Sequence, residues 1–171
     1  MTGDDGQARA EARAEARGAQ ADGLTRADDE ARAGLRARLA AAPGRVALAA
    51  RSAESRPVPD GEWSAHEIVL HLAAVEAEVF HRRLRQLAEE RDPHWAWTEP
   101  RFGDGFVAPT LDSALDVFRL DRAATLAHLD ALDDAGWART GTHATYGVLD
   151  VLDLVTIAAD HDDDHLATLE R

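Results

Sequence analysis

Residues 151–165 read VLDLVTIAADHDDDH. Leu154, Ile157, His161 and His165 stand three, four and four residues apart, which places them on one stripe of an α-helix. Asp150, just before the stretch, is a candidate N-cap. Two readings are open. Either DHDDDH is a solvated acidic end, or His161 and His165 point inward with the apolar face.

An earlier stretch bears on the choice. Ile68, His71, Leu72, Val75 and Val79 also fall on one helical stripe, so a third imidazole joins an apolar face. A lone core histidine is ordinarily a hydrogen-bonded filler, and with eight histidines in the chain an H-x-x-x-H spacing proves little by itself. The shared face is what matters. Each buried imidazole must satisfy both ring nitrogens or forfeit about 1–3 kcal/mol per unsatisfied group. One divalent metal on three neutral imidazoles satisfies them together and leaves positions open for water or substrate. His71, His161 and His165 are therefore the candidate ligands, and imidazole donors suit Zn, Ni, Fe or Cu.

Further candidates surround this triad. Asp164, three residues after His161, or the flanking Asp160 or Asp162, can accept a ligand histidine's second N–H. Asp162 and Asp163 read as a solvated outer face. Glu78 lies near the His71 face, as a supporting carboxylate or a solvated one. Arg122 falls near an apolar stripe, to hold a substrate carboxylate or to pair with an Asp or Glu. His143, in the loop entering the last helix, is placed to approach the open side of the metal. Trp63 is expected to pack against the bundle end, and Trp95, Trp97, Phe102 and Phe106 to wall a pocket mouth or anchor their loop.

Working outward, four helical segments emerge. The first spans about 25–54 and is expected to kink or split at Pro43-Gly44. The second opens at the capping box Ser64-Ala65-His66-Glu67 and runs to about residue 91. The third runs from a Thr110 cap to about residue 134, with Leu115, Phe118, Leu126, Leu129 and Leu132 inward. The fourth starts at Asp150. Between them, 92–109 and 137–147 read as loops. Four amphipathic helices without strand alternation make an all-α four-helix bundle over residues 24–171. Residues 1–23, with their Ala-Arg-Glu repeat, have helix propensity but no apolar stripe and are expected to be a disordered or frayed extension.

Composition narrows the function. The net charge of −13 disfavours nucleic acid and anionic membrane surfaces as partners. No signal-like or membrane-spanning apolar run appears, so a cytoplasmic protein is expected. Cysteine is absent, which excludes disulfides, thiolate ligands and a cysteine nucleophile.

The motifs together have a family likeness. GEWSAHEIVLHLAAVE (61–76) resembles the Trp-Ser…His-Leu…Glu signature that opens the second helix of the DinB-like superfamily. DHDDDHLATL (160–169) resembles its C-terminal His-x3-His element, and WARTGTHATYG (137–147) its connector. The resemblance covers residues 28–170. It implies an up-down-down-up four-helix bundle, a homodimer in many members, and one divalent metal on His71, His161 and His165. It also implies a small-molecule substrate. Some members are mycothiol-dependent maleylpyruvate isomerases or S-transferases using mycothiol, bacillithiol or glutathione. The implied activity is a metal-dependent S-transferase whose low-molecular-weight thiol, as cosubstrate, attacks an electrophile. A metal-dependent hydrolase and a non-catalytic ligand-binding or dimerising stress-linked bundle are the alternatives. The chain departs from the pattern at Thr168, often Gln in the family, and at Ala144, commonly Pro. Glu76 matches the signature but stands about 140° round the helix from His71, and so reads as a packing or interface residue and not a ligand.

Overall fold

Alanine-rich sequence with periodic leucine forms the first helix, α1 (Asp4–Ala53). The computed structural model describes the backbone of residues 4–96, 100 and 108–171, and side chains from residue 28 onward. Trp97, Phe102 and Phe106 lie outside the described residues. The Ala-Arg-Glu repeat, expected as a frayed extension, falls within the helical span of α1. The chain divides into two compact units, Met1–Gly34 and Leu35–Arg171, and the second holds everything described below. The helix also runs through Pro43 without splitting. Leu39, Ala42, Val46 and Ala50 are buried on both sides of that proline, and their packing offsets the hydrogen bond it removes.

The other start signals become caps. Ser64 accepts a hydrogen bond from the Glu67 amide at 3.2 Å, and the Glu67 carboxylate accepts from the Ser64 amide at 2.7 Å, opening α2 (Ala65–Val75). A π-helical segment (Glu76–His81) and α3 (Arg82–Glu89) continue the same rod. Thr110 and Ser113 cap α4 (Leu111–Asp130) reciprocally. That helix stops short of the expected residue 134, and Asp133 caps a separate turn, α5 (Asp134–Trp137). Asp150 and Asp153 cap α6 (Val151–Leu169).

Two stretches expected as loops contribute strands. β1 (His94–Trp95) pairs parallel with β2 (Thr140–His143), which pairs antiparallel with β3 (Gly147–Asp150). Gly147 turns the hairpin at φ +78°. Gly141 makes room for the Trp95 indole: a Cβ there would lie 2.5 Å from its Cη2 and 2.9 Å from the Pro93 carbonyl oxygen.

Two apolar clusters reveal how the bundle is threaded. One joins Val46 and Ala50 late in α1, Ile68 and Leu72 in α2, Leu111, Leu115 and Phe118 early in α4, and Leu166 and Leu169 late in α6. The other joins Leu39, earlier in α1, with Phe80, Leu84 and Leu87, Leu129 late in α4, and Leu154 and Val155 early in α6. The starts of α2 and α4 thus share an end with the finishes of α1 and α6. That is the up-down-down-up order, and the long 90–110 connection permits the two middle helices to run parallel. Among the described residues no helix is long and apolar enough to cross a membrane.

Candidate metal centre

The two histidine stripes meet inside the bundle. His71, on α2, is 6% exposed, and the whole predicted stripe of Ile68, His71, Leu72, Val75 and Val79 is buried. His161 and His165, one turn apart on α6, are half-buried. The Nε2 atoms of His71 and His161 lie 3.1 Å apart, and ring centroids within the trio are 4.6–5.1 Å apart. One ring nitrogen from each histidine lies within 4.8 Å of the other two. An ion held by both would sit about 2.0–2.1 Å from each nitrogen, and the 3.1 Å between the His71 and His161 Nε2 atoms is short enough for that. The donor set fits a divalent transition ion.

The electrostatics agree. Burial, with the neighbouring His165, pushes His71 down to about 4. Burial, with the other two rings and Arg122, pushes His161 down to about 3. His165 is lowered by burial as well, against the pull of Asp164. All three therefore stay neutral near pH 7, the state a metal requires. Among the described residues the buried Nδ1 of His161 has no hydrogen-bond partner, so their bonds leave the ring unsatisfied.

Aromatic rings adjoin the trio. Trp63 lies 4.9 Å from His71 and stacks at 5° and 6.2 Å on His165, with 38% of it exposed. Phe80 meets His161 edge-on at 6.2 Å. Trp63 was expected at the bundle end, and it does lie there, but against the histidines. Its position directly before the capping Ser64, at the start of the helix bearing His71, was the available signal.

Beside the trio lies a buried ion network. The Arg122 guanidinium donates to Asp162 at 2.6 and 3.2 Å, to Glu76 at 2.8 Å and to the Leu39 carbonyl at 3.2 Å. All three charged residues are at most 3% exposed. Burial alone would lower Arg122, but the two carboxylates more than offset it and its net direction is up. Burial pushes Asp162 up to about 6, with Arg122 acting in the opposite direction. One sequence expectation changes here and two narrow. Arg122 is enclosed and pairs with Asp162 and Glu76, the carboxylate-pairing alternative of its two readings. Asp162 is interior, not solvated, because it shares a second α6 stripe with Val155, Ala158, Leu166 and Leu169. Glu76, read as a packing or interface residue off the His71 face, is buried, because α2 and its continuation are covered nearly all round. Asp163 does face outward, paired with Arg38 and Arg45.

The sequence pattern of the DinB superfamily matches residues 7–169, most of the chain. The chain belongs to the DinB superfamily. YfiT from Bacillus subtilis, described as a probable metal-dependent hydrolase with an unusual four-helix bundle topology, is similar in fold. The TM-score is 0.69 at 18% identity, covering 81% of this chain and 83% of that one. No curated protein matches the chain.

In this DinB-superfamily fold the remaining candidates fall elsewhere. Asp164 is exposed beside His165 and acts on its charge. Glu78 is exposed and lines a cleft of about 760 Å³ beside α3, with Arg83, Gln86 and Trp95. Arg83 is twelve residues past His71, about 18 Å along the helix, so that part of the cleft lies well away from the histidines. Trp95 is buried there, donating to Gln86 at 3.0 Å with Arg83 over its ring. His143 does not approach the open side of the trio. Its Nδ1 accepts from the Thr145 and Tyr146 amides, and it precedes an α6 whose first residue, Val151, is about 15 Å along the axis from His161.

Proposed function

We propose that this DinB-superfamily protein binds one divalent transition metal on His71, His161 and His165 and uses it as an S-transferase acting with a low-molecular-weight thiol such as mycothiol. The observation carrying this is the convergence of three neutral imidazole nitrogens within 4.8 Å from two helices. When bound, the metal supplies Lewis acidity that lowers the pKa of a thiol or water entering its open positions. The protein's own residues do the rest. The three histidines hold the ion and stay unprotonated at neutral pH. Trp63 and Phe80 adjoin them as rings that offer no proton acceptor, and a thiol, once ionised, needs no general base. Its sulfur forms a C–S bond with a small electrophile, whose leaving group departs with the bonding pair while the thiol proton passes to solvent. The absence of cysteine fits a thiol supplied by the cosubstrate.

A second reading is hydrolysis of a small molecule at the same ligands, favoured by the fold likeness to YfiT and its description. Elemental mass spectrometry of untagged protein tests the common element: about one equivalent of Zn, Ni or Fe in wild type, lost in His161→Ala. Consumption of an electrophile only with thiol and metal together then selects the transferase, and thiol-independent turnover selects the hydrolase. Failure of the wild type to take up any of these metals removes both.

A further inference from the structure

Resting on the metal reading above, we infer that Glu76, Arg122 and Asp162 form a positioning and charge-balancing unit for the metal centre. The network joins every long helix at one level: Leu39 on α1, Glu76 at the start of the π-helical segment, Arg122 on α4 and Asp162 on α6. Two of its members are tied by sequence to the ligands. Asp162 directly follows His161, and Glu76 stands five residues after His71.

The charge count is what an ordinary structural ion pair leaves unexplained. Two carboxylates face one guanidinium, one acidic group more than the cation balances, and among the described residues Glu76 Oε1 has no hydrogen-bond partner. A surplus buried charge is costly for a fold that needs only to hold together. A divalent ion on three neutral imidazoles carries the opposite surplus. Each offsets the other, and the network's contacts on α2's continuation and α6 hold His71 opposite His161. These are positioning residues, acting on the ion through the helices and the field rather than by touching it.

The test compares Asp162→Asn and Glu76→Gln with wild type, using Asp163→Asn as a surface control of equal charge change. Zn and Ni dissociation constants come from competition with a chromophoric chelator, and Tm is measured on metal-free protein. Each interior variant leaves Arg122 with one carboxylate partner, so metal-free Tm should hold within a few degrees. Metal affinity should fall about 10- to 100-fold, the range for groups that support metal ligands indirectly, while Asp163→Asn stays within about twofold of wild type. Affinities unchanged in both interior variants overturn the inference while leaving the metal reading intact. So does collapse of both metal-free folds, which would make the second carboxylate a structural necessity. A wild type that binds no metal fails at the earlier step and is recognised by that.

Discussion

Replacing Arg122 with Met should be among the most damaging single changes in this protein. The side chain is 1% exposed and its guanidinium donates to Asp162, Glu76 and the Leu39 carbonyl. Methionine fills much of the space but strands two carboxylates in the interior. Breaking a buried ion pair from one side typically costs about 3–5 kcal/mol. In a chain of 171 residues that lowers Tm by roughly 10–15 °C at 2–4 °C per kcal/mol. Urea unfolding of metal-free protein, read by far-UV circular dichroism, gives the number directly. The pH dependence supplies a signature that mere loss of packing lacks. Without Arg122 the Asp162 carboxyl, already pushed up by burial, has a folded pKa raised further above the ordinary range. The folded state then takes up protons as pH falls, and the deficit relative to wild type should narrow between pH 7.5 and 5. Converting the network to apolar side chains, Glu76→Leu with Arg122→Met and Asp162→Leu, should recover most of the loss. A single-variant deficit below about 1 kcal/mol, or one that widens on acidification, refutes the assignment of Arg122 as the compensating charge.

The histidines predict a second pH effect in metal-free wild type. His71 and His161 are depressed to about 4 and about 3, so below about 6.5 the unfolded chain binds protons that the folded one refuses, and stability falls toward pH 5. Asp162, raised to about 6, opposes this by taking up a proton on folding, and the net loss between pH 7.5 and 5 is about 2–3 kcal/mol by urea titration; flat stability there would contradict the burial of the trio. Gly141→Ala drives a Cβ against Trp95 and the Pro93 carbonyl and should cost about 1–3 kcal/mol, with metal affinity unchanged because the strands lie at the far end of α6. Trp63, stacked on His165, should account for the tryptophan quenching that Ni²⁺ produces; if Trp63→Phe quenches equally, the indole is not at the centre.

Much of this architecture is legible in the sequence because the determinants are local. A capping box needs only Ser64 and Glu67, three residues apart, and Asp150 with Asp153 repeats the device. The inward turn of His71, His161 and His165 follows from their places among Ile68, Leu72, Leu154 and Ile157. The small sheet is different. β1 and β2 are only two and four residues long and pair across more than forty positions, so neither carries the alternation that marks a strand. Gly141 has its reason in Trp95, a residue no local window contains.

The interior charges show where a one-stripe reading of a helix fails. α6 touches neighbours on two sides, so the His161 stripe and the Val155–Ala158–Asp162–Leu166–Leu169 stripe are both inward. Judged by the first alone, Asp162 belongs to solvent. Arg122 announces the same network from α4, where Leu115, Phe118, Thr125 and Leu129 precede and follow it at helical spacing. A cation on such a stripe demands a buried anion, and Glu76 is flanked in the same way by Val69, Leu72, Val79 and Phe80. His143 yields to still simpler arithmetic. It precedes α6, and eleven helical residues separate Val151 from His161 inclusive, so the loop that carries it enters at the opposite end from DHDDDH. The acidic run that opens the question is therefore two things at once: Asp163 and Asp164 face outward, while His161, Asp162 and His165 turn toward the interior.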